Sequence, residues 1–122
     1  MALHHATSGE VVDLNAFDCD LLGMQTRALV KSDSFEAIQL TLSAGSHIPA
    51  HQVTGQFTLL CLQGRVKLGL VEGQVELSAG VWVYFDGGVR HSVDALDDSS
   101  LLLTIVFTGA DQPASVPAVG NS

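Results

Sequence analysis

Basic residues are scarce in this chain: five lysines and arginines stand against thirteen aspartates and glutamates, for a formal net charge of −8 over 122 residues. A surface of that sign repels phosphate backbones and anionic headgroups, so neither a nucleic-acid partner nor a membrane surface is expected. No basic stripe interrupts the pattern. Cysteine is almost missing too, with only Cys19 and Cys61. Two cysteines do not make a disulfide framework, and Cys61 lies inside an apolar run. It reads as a buried thiol and Cys19 as an ordinary loop thiol. No base adjoins either in sequence to lower its thiolate pKa. No apolar stretch approaches the ~20 residues that a membrane helix needs. The amino-terminal residues MALHHATSGEVVDL carry no basic flank followed by a sustained apolar run, so a cytoplasmic protein is expected.

Helical patterning is absent as well. Residues 14–25 (LNAFDCDLLGMQ) come nearest, and Gly23, Asp18 and Asp20 weaken a helix there. No internal repeat is visible. There is no Gly-x-Ser-x-Gly elbow, no glycine-rich phosphate loop ending in Lys-Ser/Thr and no His-Glu-x-x-His.

What the chain does hold is apolar residues, at 47% against 15% charged. That composition and length suit one compact domain with a single core. Short apolar segments are separated by turn residues. Phe35 to Leu42 alternates in part, and Phe57 to Leu62 is nearly continuous, as in a strand covered on both sides. Arg65 to Leu70 alternates cleanly and sets Val66, Leu68 and Leu70 on one face. Val71 to Gln74 reads as a hairpin turn into Val75–Leu77. Val81–Phe85 and Leu101–Phe107 complete the set, with Asp97 to Ser100 read as a loop. By parity Trp82 and Tyr84 share one face of their strand, while Val81, Val83 and Phe85 share the other; both sets read as packing. The fold class is therefore all-β, a sandwich or barrel.

Two segments carry the chemistry. The first is Gly45 to Gly64 (GSHIPAHQVTGQFTLLCLQG) and the second Gly80 to Ala95 (GVWVYFDGGVRHSVDA). In each, a histidine follows a glycine at fixed spacing: His51 after Gly45, and His91 after Gly80 and Gly88. Gly45, Gly64, Gly80 and Gly88 are explained by turn conformations closed to residues with a Cβ. Together the segments resemble the paired motifs of the cupin superfamily, and more closely a group of small stand-alone cupins without an assigned activity. The resemblance covers roughly residues 35 to 107 and implies a double-stranded β-helix, a jelly-roll barrel of two antiparallel sheets. On that frame, residues 35–108 form the core barrel, 1–34 supply strands and loops packing on it, and 109–122 form a mobile tail. A homodimer, paired through the sheets, is a further implication.

The family's motifs bind one metal with two histidines and a glutamate from the first half and one histidine from the second. In this chain the second histidine position is Val53 and the glutamate position is Phe57, while Asp86 and Ala95 replace a proline and an asparagine. His51 and His91 remain as possible metal ligands. His47 and the amide oxygen of Gln56 are weaker substitutes: Gln56 needs a one-residue shift or bulge to turn inward, and Pro49 interrupts the His47–His51 strand. Two neutral imidazoles alone make a poor site for iron, manganese, nickel, copper or zinc.

The ligand pocket expected from these positions comprises His51, Val53, Gln56, Phe57, Tyr84 and His91. The function expected is binding of a small molecule in a barrel whose metal site is degenerate. The alternative is a metal-dependent dioxygenase or isomerase using His51 and His91. A metal-free isomerase with His91 as general base ranks last, because no phosphate-binding arginine set is visible. Bland explanations stand beside these: a lone histidine is more often a core residue satisfied by a backbone carbonyl, and Arg90 reads as a solvated strand-end residue. His4 and His5 sit in a terminus and carry no site role.

Overall fold

The computed structural model describes residues 5–15 and 24–107. Residues 16–23, with Cys19 and most of the stretch closest to a helical pattern, lie outside this set, as do His4 and the expected tail 109–122. The described residues form an all-β structure of nine strands: β1 (Met24–Lys31), β2 (Phe35–Leu42), β3 (His47–His51), β4 (Gln56–Gln63), β5 (Arg65–Leu70), β6 (Gly73–Ser78), β7 (Trp82–Phe85), β8 (His91–Ala95) and β9 (Ser99–Val106). No helix among them is long and apolar enough to cross a membrane.

The strands build two antiparallel sheets. The first has the order β1-β2-β9-β4-β7 and the second β3-β8-β5-β6. Non-sequential neighbours such as β9 between β2 and β4 are the jelly-roll crossovers. β1, ahead of the motif region, adds to the sheet edge beside β2.

Alternation along each strand decides what is buried. In β4, Phe57, Leu59 and Cys61 point inward, and in β5 Val66 and Leu68 do the same. They meet Leu42 of β2, Leu101 of β9, Leu77 of β6 and Val93 of β8 in one cluster between the sheets. Each fully buried leucine, valine or phenylalanine stabilises the fold by roughly 1.5–3 kcal/mol relative to an exposed one. Thr58, Leu60 and Leu62, on the opposite side of β4, are only half-buried, so the continuous apolar run is fully covered on one side alone. Cys61 is a free, buried thiol, and burial pushes its pKa up, which leaves it protonated and unreactive.

One expectation fails. Ser99 and Ser100, read as loop, are the fully buried first residues of β9. Their hydroxyls replace the partners that a loop would take from water. Ser99 Oγ accepts the Arg65 amide at 3.1 Å and lies 2.7 Å from the Asp97 carbonyl, to which it can donate. Gln39 Nε2 donates to Ser100 Oγ at 3.0 Å.

Gly64 is held in this corner with φ of +85°. A Cβ there would collide with the Asp98 carbonyl and with Ser99. Gly45 has φ of +88° but open space around it. Gly64→Ala is therefore expected to destabilise the protein by about 3 kcal/mol or more, and Gly45→Ala by only about 1–2 kcal/mol. Urea unfolding of the two variants measures the difference.

Candidate functional site

The topology brings the two glycine–histidine segments to one end of the barrel. The first passes from β3 in the second sheet to β4 in the first, and the second from β7 in the first sheet to β8 in the second. β3 pairs with β8 and β4 with β7, so both crossings lie side by side. The crossing loops interlock: the Gly88 amide donates to the Val53 carbonyl at 2.7 Å, and a Cβ at Gly87 would strike the Thr54 carbonyl.

His51 ends β3 and His91 begins β8, directly opposite each other in the register. Their ring centroids lie 4.4 Å apart at 52°. His91 is buried, at 5% exposure, whereas His51 reaches solvent. A bulge makes this meeting possible. Ile48 pairs with Val93 and His51 with His91, so three steps along β3 match two along β8. The extra residue falls at Pro49–Ala50, where a proline that cannot donate to the ladder costs nothing. It puts Ile48 and His51 on the same, inward side although they are an odd number of residues apart.

The same bulge corrects the reading of His47. It sits opposite Asp94 on the outer face, its Nδ1 2.6 Å from Asp94 Oδ1, and does not join His51. Gln56 and Tyr84 are also not with the histidines. Strand parity with buried Phe57 and Phe85 turns both to the outer face of the first sheet, where Gln56 Nε2 donates to Tyr84 Oη at 2.8 Å. Tyr84 in turn donates to Asp86 at 2.7 Å. That carboxylate raises the phenol pKa, the reverse of what a phenolate ligand requires. No bulge intervenes to rescue Gln56.

Phe57, in contrast, lies against the site. Its ring centroid is 4.7 Å from that of His91 and 5.1 Å from that of Phe85. Phe85 itself is 6.1 Å from His91 in a stacked orientation. From the sequence alone Phe85 is a packing residue. The signal that could have found it is its parity with Val83, just before the Asp86–Gly88 turn. Val53 is partly buried and packs on the core edge. Arg90 is exposed.

The ring protons are fixed by two carbonyls. His51 Nδ1 lies 3.1 Å from the Pro49 carbonyl and His91 Nδ1 lies 3.1 Å from the Val89 carbonyl. A carbonyl only accepts, so both Nδ1 atoms donate and carry hydrogen. In the neutral rings both Nε2 atoms are then acceptors, and neither has a protein partner among the described residues. Burial pulls the His91 pKa below the usual imidazole value, the Val89 carbonyl opposes this, and His51 adds a smaller push downward. His91 is therefore neutral at pH 7.

The architecture has clear counterparts among solved structures. A conserved Streptococcus pyogenes protein of unknown function matches with a TM-score of 0.72 at 21% identity, over 87% of this chain and 95% of that one. A cupin superfamily protein from Desulfitobacterium hafniense matches at 0.71 and 14% identity, over 88% and 99%. An RmlC-like cupin from Desulfovibrio desulfuricans matches at 0.66 and 21% identity, over 84% and 97%. The chain has the cupin fold. No protein-family model matches the sequence, and no curated protein does either.

Whether this cupin barrel suits the divalent metal that the family's motifs hold is decided by its donors. Among the described residues no three His, Cys, Asp or Glu side chains converge. The position of the expected carboxylate holds the phenyl ring of Phe57, packed on His91. Two imidazoles, one of them packed against phenyl rings, do not fit an ion that takes three or four protein ligands.

Two outcomes follow. The unfolded chain takes up a proton at His91 near pH 6.5, but the folded protein does so only at lower pH. Stability contributed by neutral His91 is therefore complete above pH 6.5 and falls as the pH drops from there through the lowered folded value. Denaturant unfolding of wild type and His91→Leu is expected to show the wild-type advantage shrinking between about pH 7 and pH 5. Second, Phe57→Glu restores a carboxylate beside the two imidazoles. The metal-free variant is expected to lose about 3 kcal/mol or more. Zinc or manganese at 100 times its Kd would return about 2.7 kcal/mol. Thermal unfolding with and without metal checks this, and an equal response in wild type would count against Phe57 as the missing ligand position.

Proposed function

We propose that this cupin-fold protein binds a small organic molecule at the His51–His91 end of the barrel, without turnover of its own. The observation that carries the proposal is the fixed tautomer pair: two imidazoles, each holding its Nδ1 hydrogen on a backbone carbonyl, beside the rings of Phe57 and Phe85. Neutral Nε2 acceptors recognise hydroxyl or amide hydrogens, and the aromatic wall favours a planar apolar body. The ligand class is therefore an uncharged planar molecule with at least one hydrogen-bond donor. Buried His91 is neutral at pH 7, so an anion gains no ion pair from it.

The metal-dependent dioxygenase or isomerase reading is weaker, because it must work with two imidazoles after His47, Gln56 and Tyr84 have turned outward. A cytoplasmic setting belongs to the same proposal and is supported by the free thiol of Cys61.

The test is titration with phenols and, in parallel, with aliphatic carboxylates, followed by the imidazole nitrogen resonances. Phenols are expected to shift Nε2 of both histidines. His51→Ala should weaken binding by about 1–3 kcal/mol, the cost of a lost hydrogen bond in a half-buried site. Phe57→Ala should alter affinity with no change in metal content. Binding that is unaffected by either substitution would overturn the proposed site.

A further inference from the structure

One inward position of the first sheet breaks the apolar rule that builds the core. Along β2 the side chains turned to the interior are Ile38, Leu40 and Leu42, and the same parity turns Glu36 inward. It is the only carboxylate anywhere on β2, β9, β4 and β7. Glu36 is half-buried, and among the described residues no hydrogen bond or ion pair holds it. Partial burial of a carboxylate without a partner costs stability, and side chains that break the local pattern concentrate at functional sites.

The register sets where this carboxylate stands. Glu36 lies opposite Ile105 of β9, Ile105 lies opposite Phe57 of β4, and Phe57 packs on His91. This is the last inward row of the first sheet before the barrel end that holds His51 and His91. Two strand spacings, about 10 Å, separate the Glu36 and Phe57 positions. Glu36 joins the imidazoles in no cluster that could hold a metal, so it stands across the same mouth rather than beside them.

From this placement we infer that Glu36 is a second anchor for the ligand of the histidine end, and that this ligand carries hydrogen-bond donors at both ends of a planar apolar body. The inference rests on the small-molecule reading of that end. All three protein groups are acceptors: an ionised carboxylate only accepts, and the Nδ1 hydrogens leave both Nε2 atoms to accept. One donor meets the imidazoles, the apolar body lies along Phe57 and Ile105, and the second donor reaches Glu36. A hydrogen bond to an ionised acceptor is stronger than a neutral one, so Glu36 selects for the second donor as well as for length. Its charge also turns anions away from the mouth.

Calorimetric titration with para-hydroxybiphenyl and para,para′-dihydroxybiphenyl tests the inference. The second hydroxyl is expected to tighten wild-type binding at least about tenfold. In Glu36→Ala the two phenols should bind alike. Lys31→Gln, opposite Glu36 on β1, should keep the gain. The Glu36 carboxyl resonance should move with the dihydroxy compound and not with the monohydroxy one. Circular dichroism confirms that each variant is folded. A gain that survives Glu36→Ala, or no gain in a wild type that binds both phenols, overturns the inference while the histidine reading stands. A gain lost equally in Lys31→Gln assigns the carboxylate to an ion pair with Lys31 and overturns it too. No binding of either phenol, or binding that His51→Ala leaves untouched, overturns the histidine reading and this inference with it.

Discussion

Everything at the histidine end depends on one bulge in β3. Without the extra residue at Pro49–Ala50, the two-residue period that faces Ile48 inward would face His51 outward. The imidazole pair, its tautomers and the aromatic wall would then have no common location. The bulge is tolerated because Pro49 has no amide hydrogen to waste and because the interlocked loops around Val53 and Gly88 hold the end of the strand in place.

Around that constraint the rest of the site is set by packing. The core supplies one continuous inward surface from both sheets, and the site is where that surface reaches the barrel end. Phe57 and Phe85 belong to the core and to the site at once. Such a ring contact excludes water from one side of His91 and depresses its basicity, while the Val89 carbonyl satisfies its Nδ1 hydrogen. A carboxylate in place of Phe57 would have to be offset by a cation; a phenyl ring needs none. The chemistry of this end is accordingly that of an imidazole pair backed by aromatic rings, and the loss of the carboxylate position and the closing of the core are the same event.

The outside of the barrel follows the same rule with different results. Alternation sends every second residue outward, and on the second sheet those residues include His47, Asp94, Lys67 and Glu76, whereas on β2, β9, β4 and β7 of the first sheet they are uncharged. Tyr84, Gln56 and Asp86 form a hydrogen-bonded group there that serves the outer face rather than the histidine end.

The sequence by itself determined the all-β class and the strands from 35 to 42, 57 to 62 and 65 to 70, and its motif spacing singled out His51 and His91 as the histidines to watch. Alternation, turn glycines and motif spacing are local properties, and they survive without knowledge of neighbours. It also showed that Val53 and Phe57 stand where ligands are expected. Only the tertiary structure decided which way each remaining candidate points. His47 left the site because a bulge changed the parity between it and His51, and Gln56 stayed outside because no bulge changed its own. Ser99 and Ser100 became strand rather than loop because Arg65, Gln39 and the Asp97 carbonyl, distant or turned back in the chain, supply the partners that let their hydroxyls be buried. A one-residue offset reverses a side chain's face, and its presence is fixed by hydrogen bonds between strands that the order of residues alone does not reveal.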